Sequence, residues 1–162
     1  MTMEAIPAQI GSELFDRILD AKTSIVVLET SQSEALIEQF RRLVRRSGQT
    51  VYLWHEGTGL HSLRESGVRV PGCLRVSDTL RYVHKSMRFG IYLMSGLEPP
   101  LSPTQLPLLQ RIARTQTAFV RRVVLFSDGP KMAQSLGDLA TVLRHEEASS
   151  ARLRLRDGRW VV

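Results

Sequence analysis

Residues 24–33 read SIVVLETSQS, and this stretch decides the fold. Its first six residues form a short, apolar, β-branched run that stops abruptly at polar residues, the pattern of a buried strand. A helical pattern begins at once and predicts a helix over residues 33–46. A strand feeding straight into a helix is where nucleotide-binding α/β domains carry a glycine-rich phosphate cradle. The connection here is Thr30-Ser31-Gln32-Ser33, with neither glycine nor lysine. The stretch therefore suggests a nucleotidase scaffold without its phosphate grip.

Working outward, the chain alternates. Upstream, Ser12 can cap a helix over residues 13–21, with Leu14, Phe15, Ile18 and Leu19 at helical spacing. Downstream, Ser31 and Glu34 fit a capping box, and Leu36, Ile37, Phe40, Leu43 and Val44 share one helical face. Ser47-Gly48 ends that helix. Residues 50–54 (TVYLW) read as a second strand, and residues 55–72 as an irregular, glycine-rich segment with a hairpin around Gly67. Ser77 can cap a helix over residues 78–87, with Leu80, Val83 and Met87 inward. Residues 89–94 (FGIYLM) are a third strand, followed by a stiff turn at Pro99-Pro100. Ser102 and Gln105 can cap a helix over residues 103–117, with Leu106, Leu109 and Ile112 in its stripe. A fourth strand is predicted at residues 122–126, a stop at Asp128-Gly129-Pro130, a short helix at 131–136 and a strand at 141–144. The closing ARLRLRDGRWVV alternates, turns at Asp157-Gly158 and returns, the signal of a β-hairpin.

Strands separated by helices imply crossover connections and a mostly parallel sheet, and near-continuous apolar strands imply helices on both faces. The expected fold is α/β: a three-layer α/β/α sandwich with a C-terminal β-hairpin, one domain over residues 1–162.

The run of SIVVLET, an acid-rich helix, TVYLWHEGTGL, FGIYLMSGLEPPL and RRVVLFSD resembles the N-terminal domain of two-domain AAA-type ATPases, the group first noted as a chloroplast reading frame. The matching residues are Glu29, Tyr52, Trp54, Gly59, Leu60 and the strand at 91–94, and the resemblance spans residues 13–145. It implies a RecA-like domain, without the Walker A phosphate loop, of the kind that precedes an active motor domain. The chain departs from the group by ending before a motor domain could begin. It also has Ser95-Gly96 where a catalytic relative would place an acid to hold magnesium. Nucleotide hydrolysis is accordingly not expected, and no cofactor is.

Composition bounds the rest. Across 162 residues, 43% hydrophobic and 23% charged is ordinary for a globular domain. The one cysteine, Cys73, cannot form an internal disulfide, and no secretory leader or membrane-spanning run is present. A cytoplasmic protein with no membrane partner is expected. Residues 1–38 hold two basic against seven acidic residues, while the remainder holds 20 basic against nine. Only three of the 22 basic residues are lysine, which a GC-rich bacterial genome explains plainly and which also suits bidentate partners such as phosphate or carboxylate.

Candidate chemistry is sparse. His55, Glu56 and His61 could ligate zinc, but they lack helical H-E-x-x-H spacing, so no metal is assigned; His145-Glu146-Glu147 reads as a solvated end. Cys73 reads as a structural thiol. No serine sits in a G-x-S-x-G elbow. Open α/β sheets bind ligands outside the carboxyl ends of their strands. The rim here comprises 29–31, 54–56, Ser95-Gly96 and Ser127-Asp128, and the candidate ligand crevice is Glu29, Thr30, Ser31, Trp54, His55 and Ser95. Arg41, Arg42, Arg45 and Arg46 crowd a helix end, where the dipole alone accounts for them. Arg152, Arg154 and Arg156 share one face of the terminal strand and, with Arg159, form the candidate partner surface. The same stripe also serves as edge protection. The functional expectation is a non-catalytic, protein-binding regulatory or adaptor domain, able to self-associate through its uneven charge. The alternative is a nucleotide- or nucleic-acid-binding module without hydrolysis.

Overall fold

A computed structural model describes residues 7–145, with side chains from residue 11 onward. Strand β1 (Ile25–Glu29) lies second from one edge of the sheet, flanked on both sides, and its first four residues are fully buried. Burying each such side chain contributes roughly 1.5–3 kcal/mol, which is why so short an apolar run is held firmly in the core. It pairs in parallel with β5 (Arg121–Ser127) on one side and β6 (Ala140–Arg144) on the other. Beyond β5 come β4 (Gly90–Ser95), β2 (Val51–His55) and β3 (Gly59–Ser62), giving the order β3-β2-β4-β5-β1-β6. Only β3 is antiparallel.

Strand residues alternate between two helical layers. Val26, Leu28, Leu53, Leu93 and Val124 face α1 (Pro7–Leu19) and α2 (Ser33–Ser47), where Phe15 meets Phe40 edge to face at 5.8 Å. Ile25, Val27, Trp54, Met94 and Leu125 face α3 (Val76–Lys85), α4 (Gln105–Arg114) and α5 (Lys131–Leu136). The three-layer α/β/α sandwich expected from the pattern is therefore the fold. The expected C-terminal hairpin lies outside the described residues.

Three local expectations change. The segment 55–72, expected to be irregular, holds β3 and a turn at 56–58 that joins it to β2; the expected hairpin around Gly67 forms, with residues 68–70 returning along the outer edge of β3 through one bridge from His61 to Arg69. The capping box of Ser31 and Glu34 does not form. Thr30 lies one residue nearer the sheet and its hydroxyl takes the Gln32 N–H instead, at 2.9 Å. Helix α3 starts at Val76 without a side-chain cap, so Ser77 is within the helix, and it ends at Lys85, which leaves Met87, expected inward, beyond the helix and exposed. By contrast, the box at Ser102 and Gln105 forms reciprocally: Ser102 Oγ accepts the Gln105 N–H at 3.0 Å, and Gln105 Oε1 accepts the Ser102 N–H at 3.1 Å.

Candidate functional site

The helix leaving β1 packs on one face of the sheet and the helix leaving β5 on the other. Two neighbouring parallel strands thus send their chains in opposite directions, and a crevice opens outside their carboxyl ends. Its volume is about 550 Å³. Three segments wall it: Thr30, Ser31 and Ser33 after β1; residues 95–99 after β4; and residues 126–131 from the end of β5 into α5. Gly96 (φ 96°) and Gly129 (φ 122°) turn the chain at strand exits with backbone angles that a side chain would strain.

Thr30 organises the wall. It is buried, its N–H donates to the Ser127 carbonyl at 2.8 Å, and its hydroxyl accepts from the Gln32 N–H. The same hydroxyl meets His145 Nδ1 at 3.0 Å. The His145 N–H in turn donates to the Glu29 carbonyl at 2.9 Å, so β1 and β6 are tied at their ends. Ser127 Oγ donates to the Gly129 carbonyl at 3.0 Å. The crevice wall carries one cation, Lys131, and two carboxylates, Glu98 and Asp128, all exposed.

Residues 11–145, which build this sheet, its helices and the crevice at their parting, match the profile of one family: the SpoVK-like AAA ATPase, N-terminal domain. The chain belongs to this family. No curated protein and no solved structure gives a significant match.

Within this SpoVK-like domain the expected site residues separate. Thr30, Ser31 and Ser95 line the crevice together, and so do Gly96, Ser127 and Asp128 from the predicted rim. Glu29 does not. Its side chain lies on the α5 face, nine-tenths buried, and accepts from Arg144 Nε at 2.8 Å. Trp54 does not either. It is 5% exposed in the core under α3, and its indole N–H donates to the Leu74 carbonyl at 3.1 Å. His55 is exposed at the end of β2, with β4 and β5 between it and β1. The strand-end rule named every carboxyl end alike, whereas the crevice forms only where the helices part. Residues 97–99 and 129–131, which complete the wall, include turn and helix-start positions legible in the sequence, but none was read there as a site residue. Their signal is position alone, two to four residues past a strand end.

Arg152, Arg154, Arg156 and Arg159 lie outside the described residues, as do Glu146 and Glu147. Among the described residues no group of three or more His, Cys, Asp or Glu side chains is placed to hold a metal. No helix among them is long and apolar enough to cross a membrane. Cys73 is buried, and burial pushes its thiol up, away from the reactive thiolate.

Proposed function

We propose that this domain works without hydrolysing nucleotide and binds another protein, in a regulatory or adaptor role. The β1–α2 connection carries the reading. A phosphate cradle needs free backbone N–H groups at the helix start. Here the Gln32 N–H is taken by Thr30, and no glycine or lysine stands in the connection. Two carboxylates against one lysine make the wall a poor seat for polyphosphate. A protein partner is supported by Met87, 81% exposed beside Tyr82 in a shallow depression of about 390 Å³. Exposed apolar side chains of this kind anchor protein contacts. The family description, the N-terminal domain of an AAA ATPase, makes an AAA motor domain or a second copy of the chain the natural partner class.

The test is direct. The purified chain is incubated with magnesium and ATP or GTP, phosphate release is followed, and binding of a fluorescent nucleotide is titrated. Background release and no saturable binding are expected. Turnover that survives repurification and disappears when Ser31→Trp fills the crevice overturns the reading. Saturable binding without release favours the second reading, a nucleotide sensor. The open crevice with Lys131 at its wall is the observation behind that alternative.

A further inference from the structure

Four arginines that the sequence scatters over 29 positions stand together on the α2 side of the sheet. In α2, Phe40 and Val44 face the sheet and are fully buried, so Arg41 and Arg45 occupy the next positions round the helix, on one flank. Gln39 marks the opposite flank, against Gly11 of α1. The Arg41 flank therefore faces β2 and β3. On those strands Val51 and Leu53 pack under α2, and strand alternation puts His55 on the same face. Leu53 is paired with His61, and His61 bridges to Arg69, so both stand on that face too. Arg64 reaches the end of α2, with Nη1 at 3.5 Å from the Gly48 carbonyl.

The charges are close enough to be felt. Burial first, then Arg41, Arg69 and His55, hold the His61 imidazole below its ordinary pKa. The opposing acids are Glu34 and Glu38 on α2, the latter paired with Arg41 at 3.0 Å, Glu56 in the β2–β3 turn and Glu65 next to Arg64. Arg45, Arg64 and Arg69 are exposed.

We propose that this face binds the phosphate backbone of nucleic acid. A protein interface needs an apolar anchor at its centre. The exposed large hydrophobic residues among those described are Val68, Leu74 and Met87. Val68 lies opposite Ser62, on the other face of the sheet; Leu74 and Met87 flank α3, on that other side. The cationic face thus offers guanidiniums and imidazoles without an anchor. Guanidinium forks match phosphate bidentately. With no exposed aromatic side chain among the described residues to stack bases, the contact is to backbone and independent of sequence. This goes beyond the protein-binding role proposed above and does not rest on it.

The test uses the full chain and a fluorescent, random-sequence DNA duplex, read by anisotropy across a salt series. Binding in the non-specific range, about 10⁻⁴–10⁻⁶ M at physiological salt, is expected. Its logarithm should fall with log salt at a slope of about −0.9 per phosphate neutralised. The double variant Arg45→Gln/Arg69→Gln should shallow that slope by about 2, since each phosphate-contacting cation contributes about 1. Arg64→Gln, from a third segment, should shallow it by about 1. Thermal midpoints should stay at the wild-type value, which separates loss of contact from loss of fold. The variant Arg152→Gln/Arg154→Gln/Arg156→Gln should still show the effect of Arg45 and Arg69. No binding at low salt overturns the proposal. So does binding that the triple variant abolishes while the double variant leaves it unchanged. Polyglutamate displacing the duplex as readily as unlabelled DNA overturns it too, in favour of an acidic protein surface.

Discussion

At its first two residues β5 carries Arg121 and Arg122, whose guanidiniums are consumed inside the protein; at its last, Ser127 opens onto the crevice. Arg121 is 1% exposed and donates to the carbonyls of Val83, His84 and Ile112, at 3.3, 3.0 and 3.4 Å. Arg122 donates to the carbonyls of Ile18, Leu19 and Ala21, at 3.0, 2.9 and 2.9 Å. Successive strand residues point to opposite faces, so one arginine closes the ends of α3 and α4 and the other closes the end of α1. Helix C-termini leave unsatisfied carbonyls carrying partial negative charge, which a five-donor fork can collect. At the carboxyl end of the same strand no helix among the described residues terminates. Chains depart to opposite faces, and the gap between them is the crevice. The amino edge is thus built for stability and the carboxyl edge for access.

The comparison breaks first at Arg121. Arg121→Met leaves three helix-end carbonyls without their donor in the core, and a loss of about 3 kcal/mol is expected from the urea midpoint. An unchanged midpoint would mean that water replaces the guanidinium and that the two edges do not differ. Arg122→Met should cost less, about 2 kcal/mol, because its half-buried site lets water reach the α1 carbonyls. Equal losses would show that burial does not set the difference.

Thr30→Val probes the carboxyl edge where it is most tightly made. The shape is kept while the Gln32 N–H loses its acceptor, and about 1 kcal/mol should be lost. A stability gain on adding inorganic phosphate to this variant, absent in wild type, would show that the hydroxyl had been occupying the cradle's donor.

A smaller effect is expected from pH. Burial, and then Arg121, hold His84 below the ordinary imidazole pKa; burial and neighbouring cations do the same to His61. The unfolded chain therefore takes up protons first as pH falls, so stability should drop below about pH 6.5 and level off once the folded imidazoles are also charged. Above that window both states are neutral and no dependence from these groups remains. In Arg121→Met the drop should shrink, since one of the cations opposing His84 is gone. A thermal midpoint flat across this window would refute the coupling. The smallest change belongs to Asp128→Asn at the open crevice, within about 0.5 kcal/mol, as usual for an exposed site. A larger shift would make the crevice wall a structural element like the opposite edge.

How much of this was legible follows from what each feature depends on. The apolar run of β1, the stripes of α2 and α4, and the Ser102–Gln105 box are local patterns, and local patterns set strands, helices and their layers. Thr30 competing with Ser31 at the start of α2 was beyond such patterns, because its place depends on the Ser127 carbonyl that holds its own backbone. Trp54 stands at a strand end, which placed it with the crevice candidates, yet it is core. Its burial follows from strand alternation, whereas the crevice's place follows from which helices cover which face. The arginines divide in the same way. Nothing in RRVVLF distinguishes Arg121 and Arg122 from Arg45 or Arg69. Only the folded chain brings helix-end carbonyls to the first pair and leaves the others facing outward with their charge unspent. Periodicity acts between neighbours in sequence and is written there; the meeting of distant carbonyls, hydroxyls and cations is decided by how the sheet is ordered and where its helices end.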